Sequence, residues 1–200
     1  MPYTTVITFS AGNALAAADL NSNFGNLDYL NAKINEEIQV GAGSMRPSIT
    51  NGAAIADAEM TTNKNNYTFM DFSDSGGKLY AEFDFILPSD YNASTITYKV
   101  HWTANSTSTN SAVFGLQLVA IADDGTLDVA WGTAQEVTDA NKSTAYDLNI
   151  SPASSALTIA GTPAAGERVS CRFYRDSGNG SDTLAATARV LGIVISYTRS

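Results

Sequence analysis

Apolar and polar side chains alternate along much of the chain after residue 67, which is the pattern of β-strands that bury one face. In residues 78–87, KLYAEFDFIL, the odd-numbered positions are apolar and the outward positions are Lys78, Tyr80, Glu82 and Asp84. Residues 95–104 repeat the pattern, with apolar side chains at the even-numbered positions from Ile96 to Trp102. Further strands are predicted at 67–72, 112–122, 128–138, 145–150, 155–160, 167–175 and 184–198. About eight or nine short strands separated by polar turns, with no helices between them, predict an all-β fold, a jelly-roll-like antiparallel β-sandwich.

A different spacing occurs in residues 16–39, where side chains that could form one seam recur every three or four residues. Two heptad positions hold them: Phe24, Asn31 and Ile38 at position a, and Leu20, Leu27 and Ile34 at position d. This predicts one short coiled-coil-like helix, with Asn at an a position able to fix register and copy number. Fewer than three heptads are marginal alone. The helix therefore packs either against copies of itself or, in the alternative interpretation, across its own sheet.

The first residues form a separate short element. In residues 3–9 the side chains on one face are Tyr3, Thr5, Ile7 and Phe9, which predicts a strand or an extended arm. A lone strand is not stable by itself. We therefore expect this arm to pair with another chain or another protein, as an anchor.

The chain divides into three parts on this interpretation. Residues 1–40 are an N-terminal arm and an oligomerising helix, and residues 67–200 are the β-sandwich domain. Between them, residues 41–66 are broken by Gly41, Gly43, Pro47 and Gly52, which predicts an extended linker.

The charge and the apolar stretches of the chain argue against a nucleic-acid partner and a membrane partner. Charged residues make up 16 % of the chain and the net charge is −9. Binding to nucleic acid requires clustered Lys and Arg, but the basic residues here are scattered, and the nearest to a cluster are Arg168, Arg172 and Arg175 along one strand. No apolar stretch is long enough for a membrane span, and no signal-peptide pattern is present. We expect neither a nucleic-acid partner nor a membrane partner, and synthesis in a cytoplasm.

The residues able to support catalysis are few. The chain has one histidine, His101, and one cysteine, Cys171, which excludes an internal disulfide and a cysteine-based zinc site. Cys171 falls on an inward face, where a thiol is usually inert. Glu82 and Asp84 lie about 7 Å apart by the strand rise, but alternate polar positions on a strand are by default a solvated face. We predict no catalytic residue, no cofactor and no enzymatic activity.

Two acidic turns are the candidates for calcium. Asp123, Asp124 and Asp128 flank one glycine turn, and Asp176 and Asp182 bracket another. Neither turn has EF-hand spacing, and both fit simple hairpin turns. We therefore predict no metal site.

Three tyrosines are predicted to be exposed: Tyr80, Tyr174 and Tyr197. Exposed tyrosines stack on sugars or lie in subunit interfaces. The interface is favoured here because the heptad seam already predicts more than one copy. Trp102 and Trp131 are predicted to be in the core.

Two stretches resemble proteins of tailed bacteriophages. Residues 8–34 resemble the N-terminal segment of phage fibre and appendage proteins, in which an arm leads into a helix; the matching residues are Ala17, Ala18, Asp19, Leu20, Asn21, Asn23 and Phe24. Those proteins often have Thr where Ala16 stands, so a helix-capping hydroxyl is missing here. Residues 84–138 and 157–195 resemble a phage structural domain; the shared marks are Trp102-Thr103-Ala104, Gly115-Leu116-Gln117, Gly132-Thr133-Ala134-Gln135, Ala160-Gly161-Thr162-Pro163, Phe173-Tyr174-Arg175-Asp176 and Leu191-Gly192.

The resemblance implies a virion-borne β-jelly-roll that is a homotrimer and has no catalytic residues. We expect a capsid decoration (cement) or head-fibre protein, held to the major capsid protein or another virion protein by its N-terminal arm. It would be assembled in the bacterial host cytoplasm and located in the virion. Two alternatives remain: a tail-fibre or appendage component, and a carbohydrate-binding module that recognises a host glycan through exposed tyrosines.

Overall fold

A computed structural model of the chain describes residues 35–199, and these residues form an all-β fold. One 3-10 turn, Ala42–Ser44, follows the first strand. The strands in chain order are β1 (Asn35–Gly41), β2 (Arg46–Pro47), β3 (Ala54–Glu59), β4 (Asn66–Phe72), β5 (Lys78–Ile86), β6 (Thr97–Ala104), β7 (Ser111–Ile121), β8 (Gln135–Ala140), β9 (Asn149–Ile150), β10 (Arg168–Asp176) and β11 (Ala188–Thr198).

The strands form two antiparallel sheets, which confirms the predicted jelly-roll-like sandwich. Sheet A has the order β3-β4-β11-β6-β9, and sheet B has the order β2-β5-β10-β7-β8. Strand β1 also joins sheet A, where it pairs with residues 192–198 of β11, while β4 pairs with residues 188–190. A bulge at Leu191 separates these two halves of β11.

The core lies between the sheets and follows the alternation of the sequence. Trp102, Phe83, Phe173 and Ile195 are at most 1 % exposed. Cys171 is buried on the inward face of β10, as predicted. The Trp102 indole nitrogen donates to Asp139 Oδ2 at 2.8 Å, so the largest core side chain also satisfies its polar group.

The predicted helix over residues 16–39 is wrong at its C-terminal end, because Asn35–Gly41 forms strand β1. Ile38 and Val40 also have the period-2 spacing of a strand, and they lie opposite Ile195 and Ile193 of β11. Backbone pairing to β11 together with burial of these side chains therefore prevails over the helical spacing. The other seam residues, Leu20, Phe24, Leu27, Asn31 and Ile34, lie outside the described residues, as do the arm residues Tyr3, Thr5, Ile7 and Phe9.

The predicted linker at 41–66 is also wrong, since it contains β2 and β3. Strand β2 pairs with β5, and β3 pairs with β4 in full register. Pro47 is tolerated because β2 is an edge strand, where a missing N–H costs no ladder bond. The described sandwich therefore begins at residue 35 and not at residue 67.

Three predicted strands are shorter than the alternation suggests. The strand predicted at 145–150 is reduced to β9, Asn149–Ile150. Residues 122–134 form a loop, and the strand predicted at 128–138 is confirmed only from Gln135 onward. The segment at 155–160 makes only isolated bridges, at Leu157 and Ala160. The loop 122–134 matters for function because it extends beside the outer face of sheet B.

Candidate functional site

The outer face of sheet B is polar and aromatic. Alternation on β5 places Tyr80, Glu82 and Asp84 on this face, and the register with β10 adds Ser170 and Arg172 beside them. Glu82, Ser170 and Arg172 are half-buried, and Asp84 is exposed. The face therefore presents fixed polar groups at the surface of a rigid sheet.

A cleft of about 480 Å³ lies on this face between strand β2 and the loop 122–134. Side chains of β5 and β10 form its floor, β2 lines one side, and the loop supplies an aromatic wall. The lining residues that carry polar or aromatic chemistry are Arg46, Glu82, Asp84, Asp128, Trp131, Arg168 and Ser170. A concave surface with convergent polar groups is the usual form of a ligand site.

Ion pairs order the polar groups of the cleft. Arg46 contacts Asp84 at 3.3 Å and Glu82 at 3.7 Å, and Arg168 pairs with the other oxygen of Asp84. The Ser48 hydroxyl donates to Glu82 at 2.9 Å. Pairs this exposed add little to stability, but they hold carboxylate oxygens and guanidinium N–H groups side by side.

Arg172 links the aromatic wall to the sheet. Its guanidinium carbon lies 4.8 Å from the ring centroid of Tyr80 and 4.9 Å from that of Trp131. Two of its nitrogens donate to Gln117 Oε1, at 3.1 and 2.8 Å. Cation–π contact with two rings and a fork of hydrogen bonds fix this guanidinium in place.

The loop that carries Trp131 is hydrogen-bonded to Gln117, the side chain that also accepts from Arg172. Gln117 Nε2 donates to the carbonyl of Gly132 at 2.9 Å. A side chain at Gly132 is excluded, because its Cβ would lie 2.6 Å from the carbonyl oxygen of Leu118. The glycine thus permits the loop to approach β7 closely and positions Trp131 at the cleft.

The predicted exposed tyrosines are only partly found. Tyr80 is half-buried and lines the outer face as predicted. Tyr174 is outward but 1 % exposed, because its ring lies over Gly115, where an added Cβ would be 2.2 Å from the Tyr174 Cζ. Its hydroxyl donates to Glu136 at 2.7 Å. Burial, reinforced by this hydrogen bond, raises the pKa of Tyr174 to about 12.

Tyr197 is not exposed either, so its prediction as a surface aromatic is wrong. It lies on the inward face of β11, opposite Glu36, and is 8 % exposed. Its hydroxyl donates to Asp90 at 3.0 Å. The apolar alternation of β11 runs through to its end, and Tyr197 follows it.

Three site residues were missed by the sequence interpretation: Trp131, Arg46 and Ser170. Trp131 was predicted in the core because alternation placed it on a strand, yet it lies half-buried on a loop. Arg46 fell in the predicted linker. The glycine and aspartate at residues 123–125 were recognised as a turn, but they do not indicate that the loop continues to residue 134.

Three other candidates for chemistry lie outside the cleft. Burial raises the pKa of the Cys171 thiol well above its usual value. His101 lies half-buried on sheet A, the other sheet of the sandwich. Asp182 is engaged by Arg175, with the two side chains at most 1 % exposed and 2.8 Å apart. Within residues 35–199, no three His, Cys, Asp or Glu side chains are grouped as a metal site would need.

The described part of the chain contains no helix with the length and apolarity that crossing a membrane requires.

No protein-family model matches the chain, and no curated protein matches it in sequence. Several solved structures are similar to it in fold. The CBM36-1 domain of a multidomain xylanase from the hindgut metagenome of Trinervitermes trinervoides is 10 % identical, with 80 % of this chain and 96 % of that chain covered at a TM-score of 0.43. CBM35 from Cellvibrio japonicus Abf62 is 8 % identical, with 82 % and 99 % covered at a TM-score of 0.45. A chain of the infectious bursal disease virus Gx strain is 11 % identical, with 84 % and 33 % covered at a TM-score of 0.34.

Proposed function

We propose that this domain is a non-enzymatic glycan-binding module and that the cleft on the outer face of sheet B is its site. The observation that carries the proposal is the pairing of an aromatic wall, Trp131, with ordered carboxylate and guanidinium groups in one concave surface. A sugar ring has an apolar C–H face that an aromatic ring can cover. Its hydroxyl groups both donate and accept, and planar charged groups engage them two at a time.

The arrangement favours binding over catalysis. Two of the three carboxylates that line the cleft, Glu82 and Asp84, are held by arginines or by Ser48. The third, Asp128, is exposed on the loop 122–134. A general acid needs a raised pKa and a general base needs a free lone pair aimed at its proton. Carboxylates fixed by guanidinium groups serve better as hydrogen-bond acceptors for hydroxyl groups.

The test begins with the full chain on an array of immobilised glycans, followed by titration calorimetry with each glycan that binds. Trp131→Ala should weaken binding at least about tenfold, since stacking aromatics carry much of the energy of such sites. Tyr146→Ala is the matched control. Tyr146 is an exposed aromatic outside the cleft, where it faces Arg189 of sheet A. Binding that survives Trp131→Ala but falls in the control would place the site elsewhere, and an array without any signal would refute the proposal.

We also propose that the module is carried on a bacteriophage particle, as a trimeric decoration or head-fibre protein that presents the glycan site to the host. The resemblance of residues 84–138 and 157–195 to a phage structural domain supports this placement. A tail appendage remains the alternative. In either place the arm and the seam residues that precede β1 would join the chain to its own copies and to the particle.

The virion proposal is tested with residues 1–34 deleted. The cut is placed there because removal of residues 35–40 would also remove most of β1 from sheet A. The full chain should sediment as a trimer and add to particles, whereas the truncated chain should stay folded and do neither. Leu27→Asp in the full chain should likewise reduce the trimer to a monomer. Full particle binding by the truncated chain would overturn the anchoring role.

A further inference from the structure

We infer that the ligand is a linear, uncharged glycan that lies along strands β5 and β10, spanning three neighbouring depressions and not the central cleft alone. The inference rests on the proposed function and specifies its ligand. It depends on the shape of the outer face of sheet B, on the charges there, and on where exposed apolar side chains lie.

The central cleft continues at both of its ends. On the side of Tyr80, a depression of about 340 Å³ lies between Ile49 and Arg172 and shares Glu82 with the cleft. On the other side, a depression of about 610 Å³ lies between the loops 122–127 and 164–167 and shares Leu127 and Arg168 with the cleft. The shared residues make the three depressions one groove.

The groove follows a strand, so its length can be estimated from the sequence. It extends from Tyr80 to Ile86 on β5, which is about 20 Å at ~3.3 Å per residue. A ligand of that length is a chain of several sugar units. A single sugar would occupy only the central cleft.

An exposed apolar side chain lies at each depression. Ile49 is at the first, Leu127 at the wall shared by the second and third, and Ile86 at the third. Ile49 is fully exposed, and Leu127 and Ile86 are 79 and 53 % exposed, so each is open to a ligand. Apolar contacts repeated along a groove suit a polymer whose C–H faces recur along its length.

The charges of the groove disfavour an anionic glycan. Each of its three guanidinium groups already has a partner: Arg46 and Arg168 pair with acidic groups of the floor, and Arg172 donates to Gln117. The third depression adds Asp123, Asp124 and Glu167 as acidic groups. The chain also has a net charge of −9. A polyanion would meet like charge and would have to displace existing ion pairs.

The test is calorimetry on the full chain with neutral xylo-, cello- and manno-oligosaccharides of one to six units, beside oligogalacturonate as the anionic series. In the neutral series that binds, affinity should rise at least about tenfold from the disaccharide to the tetra- or pentasaccharide and then level off. Oligogalacturonate should bind more weakly than neutral chains of equal length.

Variants at the two ends of the groove separate this inference from the proposed function. Ile49→Ala and Ile86→Ala, both at exposed positions, should each weaken binding of the longest neutral chains several-fold and leave the disaccharide unchanged. Leu148→Ala, an exposed apolar position next to β9, should change neither. Binding that depends on Trp131 but not on chain length would overturn the groove and keep the glycan site. Tighter binding of oligogalacturonate would overturn the uncharged ligand. No binding by any glycan would refute the proposed function itself.

Discussion

Arg175 is a charged side chain in the core, and all of its hydrogen-bonding capacity is used. It is 1 % exposed and forms two bonds with Asp182, at 2.8 and 2.9 Å. Its other contacts are the backbone carbonyls of Phe72, Ala186 and Leu184. Asp182 Oδ2 also accepts the backbone N–H of Val113 at 2.9 Å. One ion pair thus joins β10, β4 and β7 to the connection that leads into β11.

The substitution Asp182→Asn should lower the free energy of unfolding by about 3–5 kcal/mol, because it leaves the Arg175 charge buried without its counter-charge. Urea denaturation monitored by tryptophan fluorescence measures the change. Glu59→Gln is the matched control, since it breaks the exposed pair with Lys64, in which the side chains are 49 and 67 % exposed. That control should cost less than about 1 kcal/mol. Equal small losses in the two variants would contradict the structural role of the buried pair.

From the sequence, Asp182 could be identified only as part of an acidic turn. Its pairing with Arg175 could not be predicted, because it depends on the path of the backbone through residues 176–187. The burial of Tyr174 could not be predicted either, although alternation correctly places this residue on the outer face. Its burial follows from a glycine on the neighbouring strand, and that is a matter of register between β7 and β10.

Among the strands, β6 shows how a short partner can protect a sheet edge. Strand β9 pairs only with His101 and Trp102 of β6. Farther along, the N–H of Val100 donates to Ser151 Oγ at 2.9 Å, and the N–H of Tyr98 donates to Ser154 Oγ at 3.1 Å. Serine hydroxyls thus take the place of ladder carbonyls, and the edge offers fewer unpaired groups to another strand.

The substitution Ser154→Ala should cost about 1–3 kcal/mol, since the buried N–H of Tyr98 loses its acceptor. Ser155→Ala is the matched control, because Ser155 is exposed and contributes its backbone carbonyl to the Ser154 hydroxyl. The control should stay within about 0.5 kcal/mol of the parent. Thermal unfolding of both variants measures the difference. An unchanged midpoint for Ser154→Ala would show that another acceptor replaces the hydroxyl.

Strands with a clean alternation were predictable, and strands that depend on a distant partner were not. Residues 78–87 alternate apolar and polar side chains strongly enough to define β5. Residues 184–198 define β11 through their apolar content, although a bulge at Leu191 shifts which positions face inward. Strand β3 has the sequence AIADAE, whose small and acidic residues give weak alternation, and it forms through its register with β4. Strand β1 carried two periods at once. The strand period prevails because residues 192–198 of β11 extend beyond its pairing with β4 and are available to pair with β1, which is a feature of the folded sheet.

For the molecule as a whole, the candidate site contains the residues whose position the apolar–polar alternation did not predict. The fold could be predicted because burial between two sheets leaves a period of two along each strand. The cleft depends on Trp131, which was predicted on a strand but lies on a loop, and on Arg46, which was predicted in a linker but lies on an edge strand. Only the floor residues Glu82 and Asp84 were recognisable in advance, as the outward positions of β5. A groove is formed by elements distant in sequence, so its composition could not be read from one segment.

Buried tyrosines also give the whole molecule a definite response to alkaline pH. Burial is the main cause that raises the pKa of Tyr91, Tyr98, Tyr174 and Tyr197 above the ordinary value of 10.0. For Tyr174 the folded value is about 12. Between these two values the folded chain holds protons that the unfolded chain has lost. The free energy of unfolding must therefore fall as pH rises through this window.

The prediction is that the urea midpoint begins to decrease above about pH 9, where the Cys171 thiol ionises in the unfolded chain alone, and decreases further between about pH 10 and pH 12 as the tyrosines add to the effect. Tyr174→Phe should make that decrease shallower, because it removes one of the titrating groups. Glu136→Gln should do so more weakly, since it removes only the hydrogen bond and negative charge that add to the effect of burial. Absorbance titration of the phenolates gives the folded pKa values independently. A midpoint that stays constant between pH 10 and pH 12 would mean that the tyrosines ionise equally well in the folded chain, so burial between and over the sheets would not be holding their protons.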